Sequence, residues 1–163
     1  MIERYLLVAS RIRQELGDLE RLVARAERAL SSAKRRSRDQ DLFLDSAALN
    51  LHDFYTGLER ILHYVAANIE GHVPQGREWH RELLRQMGVA VPGIRPQVLS
   101  ADLVKALDEY LRFRHVLRNI YAFELDTARV ERLVKGLRPV FDQVKAELLQ
   151  FAQVLEQTGK QPG

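Results

Sequence analysis

Cysteine is absent from the chain. That excludes a disulfide framework, a thiolate nucleophile and any zinc-thiolate centre, and leaves His and carboxylate as the remaining metal ligands. Apolar runs of membrane-spanning length are also missing, so no transmembrane segment is expected. Glu3 and Arg4, ahead of short apolar steps, do not make a signal-peptide layout, and a cytoplasmic protein is expected. No useful stretch alternates apolar and polar residues with period two, and no unit recurs at a fixed spacing, which argues against sheets and repeat folds. Proline and glycine crowd together only in residues 89–98, around Pro92, Gly93 and Pro96, which reads as an irregular crossover.

What is present is helical periodicity. With 46% hydrophobic residues among 163, the chain can bury one real core. Tyr5, Val8, Ile12, Leu16, Leu19, Val23, Ala26 and Leu30 recur at helical spacing and predict a first helix over 2–36. After a polar turn at 37–41, Leu44, Ala48, Leu51, Tyr55, Leu58, Leu62, Val65 and Ile69 predict a second helix to about 70, with Gly71 as its C-cap. A short third helix is expected over 77–87 and stops at Gly88. Ser100 is suited to cap a fourth over 101–123, with Leu103, Leu107, Tyr110, Leu111 and Leu117 inward. Asp126 or Thr127 opens a fifth, kinked by Pro139. The expectation is an all-α up-and-down bundle of about five helices in one domain, 1–157, with a disordered tail at 158–163.

The net charge of +3 permits a polyanionic partner without demonstrating one. Its distribution says more. Lys34, Arg35, Arg36 and Arg38 read as a solvated helix end, where cations are favoured. Arg112, Arg114 and Arg118 form a second cluster, and arginine's planar fork suits phosphate. On a helix, Arg114, Arg118 and Tyr121 share one face, while His115 and Asn119 stack on its flank. Such a strip suits a phosphodiester, with Arg112 and Arg118 as further RNA contacts. Spacing alone favours a plainer role, in which the arginines are solvated or pair with acids on a neighbouring helix.

Residues 114–121, Arg-His-Val-Leu-Arg-Asn-Ile-Tyr, resemble the ribonuclease motif of HEPN-type toxins, the HepT group in particular. That motif is an arginine, four to six residues, a histidine and often a tyrosine two positions on. Here Arg114 is followed by four residues, then Asn119, and Tyr121 stands two further on. No arginine lies five to seven residues before His52, His63, His72, His80 or His115, so the strict motif is absent. Three further blocks carry the resemblance in order: Phe54-Tyr55-Thr56-Gly57-Leu58-Glu59-Arg60-Ile61, Trp79-His80-Arg81-Glu82-Leu83-Leu84, and Phe113 through Leu125.

The resemblance implies a HEPN-like bundle and a metal-independent endoribonuclease without cofactor. It further implies a homodimer, neutralised by a minimal nucleotidyltransferase antitoxin. By position, Arg114 would stabilise charge on the phosphorane, Asn119 would take the histidine's place, and Tyr121 would be the tyrosine that the antitoxin modifies with AMP. An amide exchanges no proton usefully at neutral pH, which turns attention to His115, one helical turn earlier. The alternatives are a catalytically degenerate dimer that binds RNA or protein, and a helical adaptor with no RNA role.

Other polar residues invite plainer readings. Glu59 and Arg60 suggest a structural ion pair or a cleft lining, His63 a core histidine, and Trp79 with His80 a staple for the short helix. His72 and His80 flank a loop without convergent acids, so no metal site is expected.

Overall fold

The computed structural model describes residues 2–36 and 38–160. Five helices follow one another: α1 (Ile2–Arg35), α2 (Gln40–Val65), α3 (Trp79–Met87), α4 (Ala101–Leu117) and α5 (Thr127–Lys160). The described residues hold no strand, only one isolated bridge between Val91 and Arg95 in the crossover. The expected all-α bundle of about five helices is what the chain forms.

At 34 residues each, α1 and α5 are the long members, and both pack along one another while α1 also lies along α2. Helix α4 leans on α2 and α5, and the short α3 on α2 and α4. Phe54 sits where three helices meet, with its ring edge-on to Tyr110 of α4 and Phe141 of α5 at 6.1 and 6.2 Å between centroids. At Gly57 the side chains of α1 leave no room on α2, since a β-carbon there would stand 2.8 Å from the Leu19 side chain. Pro139 lies inside α5, which is a single helix on both sides of it.

Helix ends follow local chemistry. Ser100 Oγ accepts from the backbone N–H of Leu103, as expected of a cap, and Asp126 Oδ1 accepts from that of Arg129 at the start of α5. Helix α2 continues into a π-helical turn, Ala66–Glu70, closed by Gly71 in the left-handed region at φ 70°. The crossover is pinned by Arg95, which is buried, pairs with Glu70 and donates to the carbonyls of Gln86, Val89 and Pro96.

Two boundaries differ from expectation near the chemistry. The third helix starts at Trp79 rather than 77. The fourth stops at Leu117 rather than 123, because the Asn119 side chain donates to the His115 carbonyl at 2.8 Å. That carbonyl is thereby satisfied by an amide, and the backbone N–H of Asn119 turns instead to Val116 at 3.0 Å, tightening the last turn. Tyr121 then opens a separate 3-10 turn, Ala122–Glu124, with its N–H donating to Glu124 Oε1. Thr158 to Lys160, placed by the sequence in a tail, continue α5, with Gly159 against Leu6; residues 161–163 of that tail lie outside the described residues.

Candidate nucleic-acid interface

The early end of α4 changes the geometry of the motif. Arg118, Asn119 and Tyr121 lie beyond the helix, so the continuous strip expected for 114–121 does not form. Arg118 and Asn119 are exposed; Tyr121 is 70% exposed and stacks on Phe123, with centroids 5.3 Å apart and planes 10° from parallel.

Arg114 corrects the expectation of an open cation. It is 2% exposed and faces Glu59 of α2, itself 7% exposed. Its guanidinium makes a forked pair, Nη1 donating to Oε1 at 3.1 Å and Nη2 to Oε2 at 3.0 Å, and lies 4.8 Å above the Tyr55 ring. Glu59 is therefore not the partner of Arg60, which reaches Glu15 at 3.8 Å. The plainer role, pairing with an acid on a neighbouring helix, is the one Arg114 has. A cation taken out of water needs such a partner, because an unpaired buried charge costs several kcal/mol, of the order of 3–5.

His80 of α3 joins this pair. Its Nδ1 lies 2.7 Å from Glu59 Oε2 and 2.9 Å from Arg114 Nη2, and its ring lies against Trp79, tilted by 32° at 3.6 Å between centroids. Trp79 in turn meets the edge of His63, which is exposed rather than in the core. Burial, with Glu59 second, pushes the Tyr55 phenol well above the ordinary tyrosine range, and its hydroxyl has no hydrogen-bond partner among the described residues. Three blocks distant in sequence thus meet at one point.

On the solvent side of His80 lies a cleft of about 390 Å³ between α3, α4 and the start of α5. Arg77, Arg81, Arg112 and Arg129 line it, together with His80, His115 and Glu78. Four guanidiniums thus face it against two carboxylates, Glu78 and the neighbouring Asp108. Asp108 pairs with Arg112 at 2.8 Å and with Arg81 at 3.5 Å. Among the described residues, Arg77 and Arg129 have no acidic partner within 4.0 Å, and Arg129 lies over the Phe113 ring. A larger depression of about 690 Å³ between α1 and α5 carries a smaller excess, Arg13 and Lys160 against Glu156, and its Arg13 is paired with Glu156 at 2.6 Å.

Of the residues expected to meet RNA, Arg112 and His115 line the cleft, Arg114 sits behind His80, and Arg118, Asn119 and Tyr121 stand apart from the lining. Sequence reasoning missed Arg77, Arg81 and Arg129 as lining residues and the Glu59–His80 contact. A signal for the buried pair was there. Arg114 continues the inner spacing Leu103, Leu107, Tyr110, Leu111, and Glu59 falls between Tyr55, Leu58 and Leu62; a charge on the core stripe of each of two helices calls for its opposite. Arg129 offered no such signal, because its approach to the cleft depends on how α5 docks.

No curated protein and no solved structure matches the chain. The family model described as HepT-like protein matches residues 46–155, which include Glu59, His80, Arg114, the whole cleft lining and the motif region. With a match over most of its length, the chain belongs to the HepT-like family of the HEPN superfamily.

Proposed function

We propose that this chain is a HepT-type toxin that takes RNA into the basic cleft, cleaves it with the RNA's own 2′-hydroxyl as nucleophile, and is silenced by a nucleotidyltransferase antitoxin. The supporting observation is the cleft itself, where arginines from three helices and two imidazoles face one opening. Arginines bind phosphate through forked, charge-assisted hydrogen bonds, and imidazole is the side chain suited to moving protons near neutral pH. In this proposal Arg112 and Arg129 grip the backbone and His115 stands beside the scissile bond. Arg114 acts from behind through Glu59 rather than on phosphate. Tyr121, solvent-facing, is accessible to an AMP-transferring partner, and pairing of two copies follows the family habit.

Expression of the chain alone in bacteria is expected to arrest growth, and coexpression with the cognate nucleotidyltransferase to restore it. Arg112→Ala should relieve the arrest while leaving soluble protein levels unchanged. Arrest unaffected by Arg112→Ala, or relieved only when the protein disappears, would count against the cleft.

A degenerate, RNA-binding module is the second reading. It is favoured by Asn119, whose amide is tied to the His115 carbonyl, and by the neutralised Arg114. Harmless expression together with salt-sensitive RNA binding would select it.

A further inference from the structure

We propose that His80 is the proton-accepting group of the cleft, oriented by Glu59, with Arg114 as the positioning residue that fixes Glu59. This rests on the RNA-cleaving function proposed above. Nδ1 has two neighbours, Glu59 Oε2 at 2.7 Å and Arg114 Nη2 at 2.9 Å; the carboxylate contact is the shorter, and Nη2 already donates to Glu59 at 3.0 Å, so the proton is assigned to Nδ1. A lone pair on Nδ1 set 2.7 Å from a carboxylate oxygen would repel it, whereas an N–H there makes a charge-assisted hydrogen bond. With the proton on Nδ1, the lone pair falls to Nε2, the nitrogen a base needs.

Orientation is overdetermined. Glu59 cannot swing away, because both its oxygens are held by the Arg114 fork and Arg114 Nη1 also reaches Thr56 Oγ1 at 3.4 Å. The imidazole cannot rotate freely, because Trp79 covers its face. Yet its side chain keeps 28% exposure and lines the cleft, unlike the two groups behind it. A buried ion pair that ends on a half-open imidazole in a basic cleft has the form of a general base with its orienting carboxylate.

In the step, Nε2 of His80 takes the proton from the ribose 2′-hydroxyl as the 2′-oxygen bonds to phosphorus. The bond from phosphorus to the 5′-oxygen breaks, and that oxygen receives a proton from protonated His115. The products are a 2′,3′-cyclic phosphate and a 5′-hydroxyl, with one proton gained by His80 and one lost by His115.

The test uses the full chain with a short, end-labelled single-stranded RNA, following binding and cleavage separately. His80→Ala is expected to bind RNA as the parent does and to cleave it slower by 10²-fold or more, of the order of a lost general base. Glu59→Gln is expected to lower kcat with KM unchanged. Where either variant fails to fold, nitrogen-15 shifts of His80 in the unaltered protein are expected to report the Nδ1–H tautomer. Full cleavage by a folded His80→Ala or an Nε2–H tautomer would each overturn the assignment of His80. A parent protein that binds RNA without cleaving it, or that does not bind RNA, would instead defeat the proposed function itself.

Discussion

Arg114 shows how a side chain in a motif-like stretch can serve the interior. Its forked pair with Glu59 is nearly solvent-free, so truncating either partner strands the other charge. Arg114→Ala is expected to lower unfolding stability by about 3–5 kcal/mol, measured by urea denaturation. Arg114→Lys should recover little of this, because an ammonium cannot reproduce the two-pronged contact. An unchanged urea midpoint in Arg114→Ala would show that the pair carries no stability. Loss of toxicity in Arg114→Ala therefore does not identify a catalytic arginine, whereas Arg112, exposed at the cleft, can be removed without a core penalty.

At the scale of elements, the decisive event is the end of α4. Asn119 terminates the helix by capping the His115 carbonyl with its side chain, and the next three residues leave the helix axis. Restoring the family's histidine with Asn119→His is expected to leave the cleavage rate where it was. Position 119 is exposed outside the cleft and its intended partner is buried; a gain in rate, read on a labelled RNA, would contradict this. At the other contact of consequence, Gly57→Ala pushes a methyl into the buried Leu19 side chain; alanine's better helix propensity, about 1 kcal/mol, offsets part of the overpacking, and a net loss of about 1–2 kcal/mol is expected in the same denaturation assay.

The helices themselves were legible because their stripes are long and regular, and the Ser100 cap and the Gly71 stop carry well-known signals. The end of α4 was not, because helical spacing persists in the sequence through Phe123 and only the competing amide breaks it. The buried pair was written in the stripes as two misplaced charges. The cleft was not, since its walls come from three helices and exist only once those helices dock.

For the whole molecule, α1, α2 and α5 supply a frame, and the cleft lies at the margin where α3 and α4 are laid against it. Two buried phenols, one on α2 and one on α4, make the fold sensitive to alkali. Burial first, then Glu59 for Tyr55 and Glu109 for Tyr110, raises both phenols above their ordinary value; Tyr110 also donates to the Leu133 carbonyl at 2.7 Å. The unfolded chain releases these protons near pH 10, the usual tyrosine value of about 10, while the folded chain retains them. Their contribution to stability is thus complete below that pH and is lost as pH climbs past it. Urea midpoints should fall steeply above pH 10 and less so in Tyr110→Phe.

Charge is concentrated where the function is proposed, and a salt titration of RNA binding reads it directly. Affinity for a short single-stranded RNA, followed by fluorescence anisotropy, should fall linearly with salt on logarithmic axes. Arg112→Ala and Arg129→Ala should each flatten the slope by about 0.7, one phosphate contact apiece, and Arg13→Ala, at the far depression, should not. A parent protein that does not bind, or a slope moved by Arg13→Ala and indifferent to both cleft arginines, would contradict the assignment of this cleft to RNA.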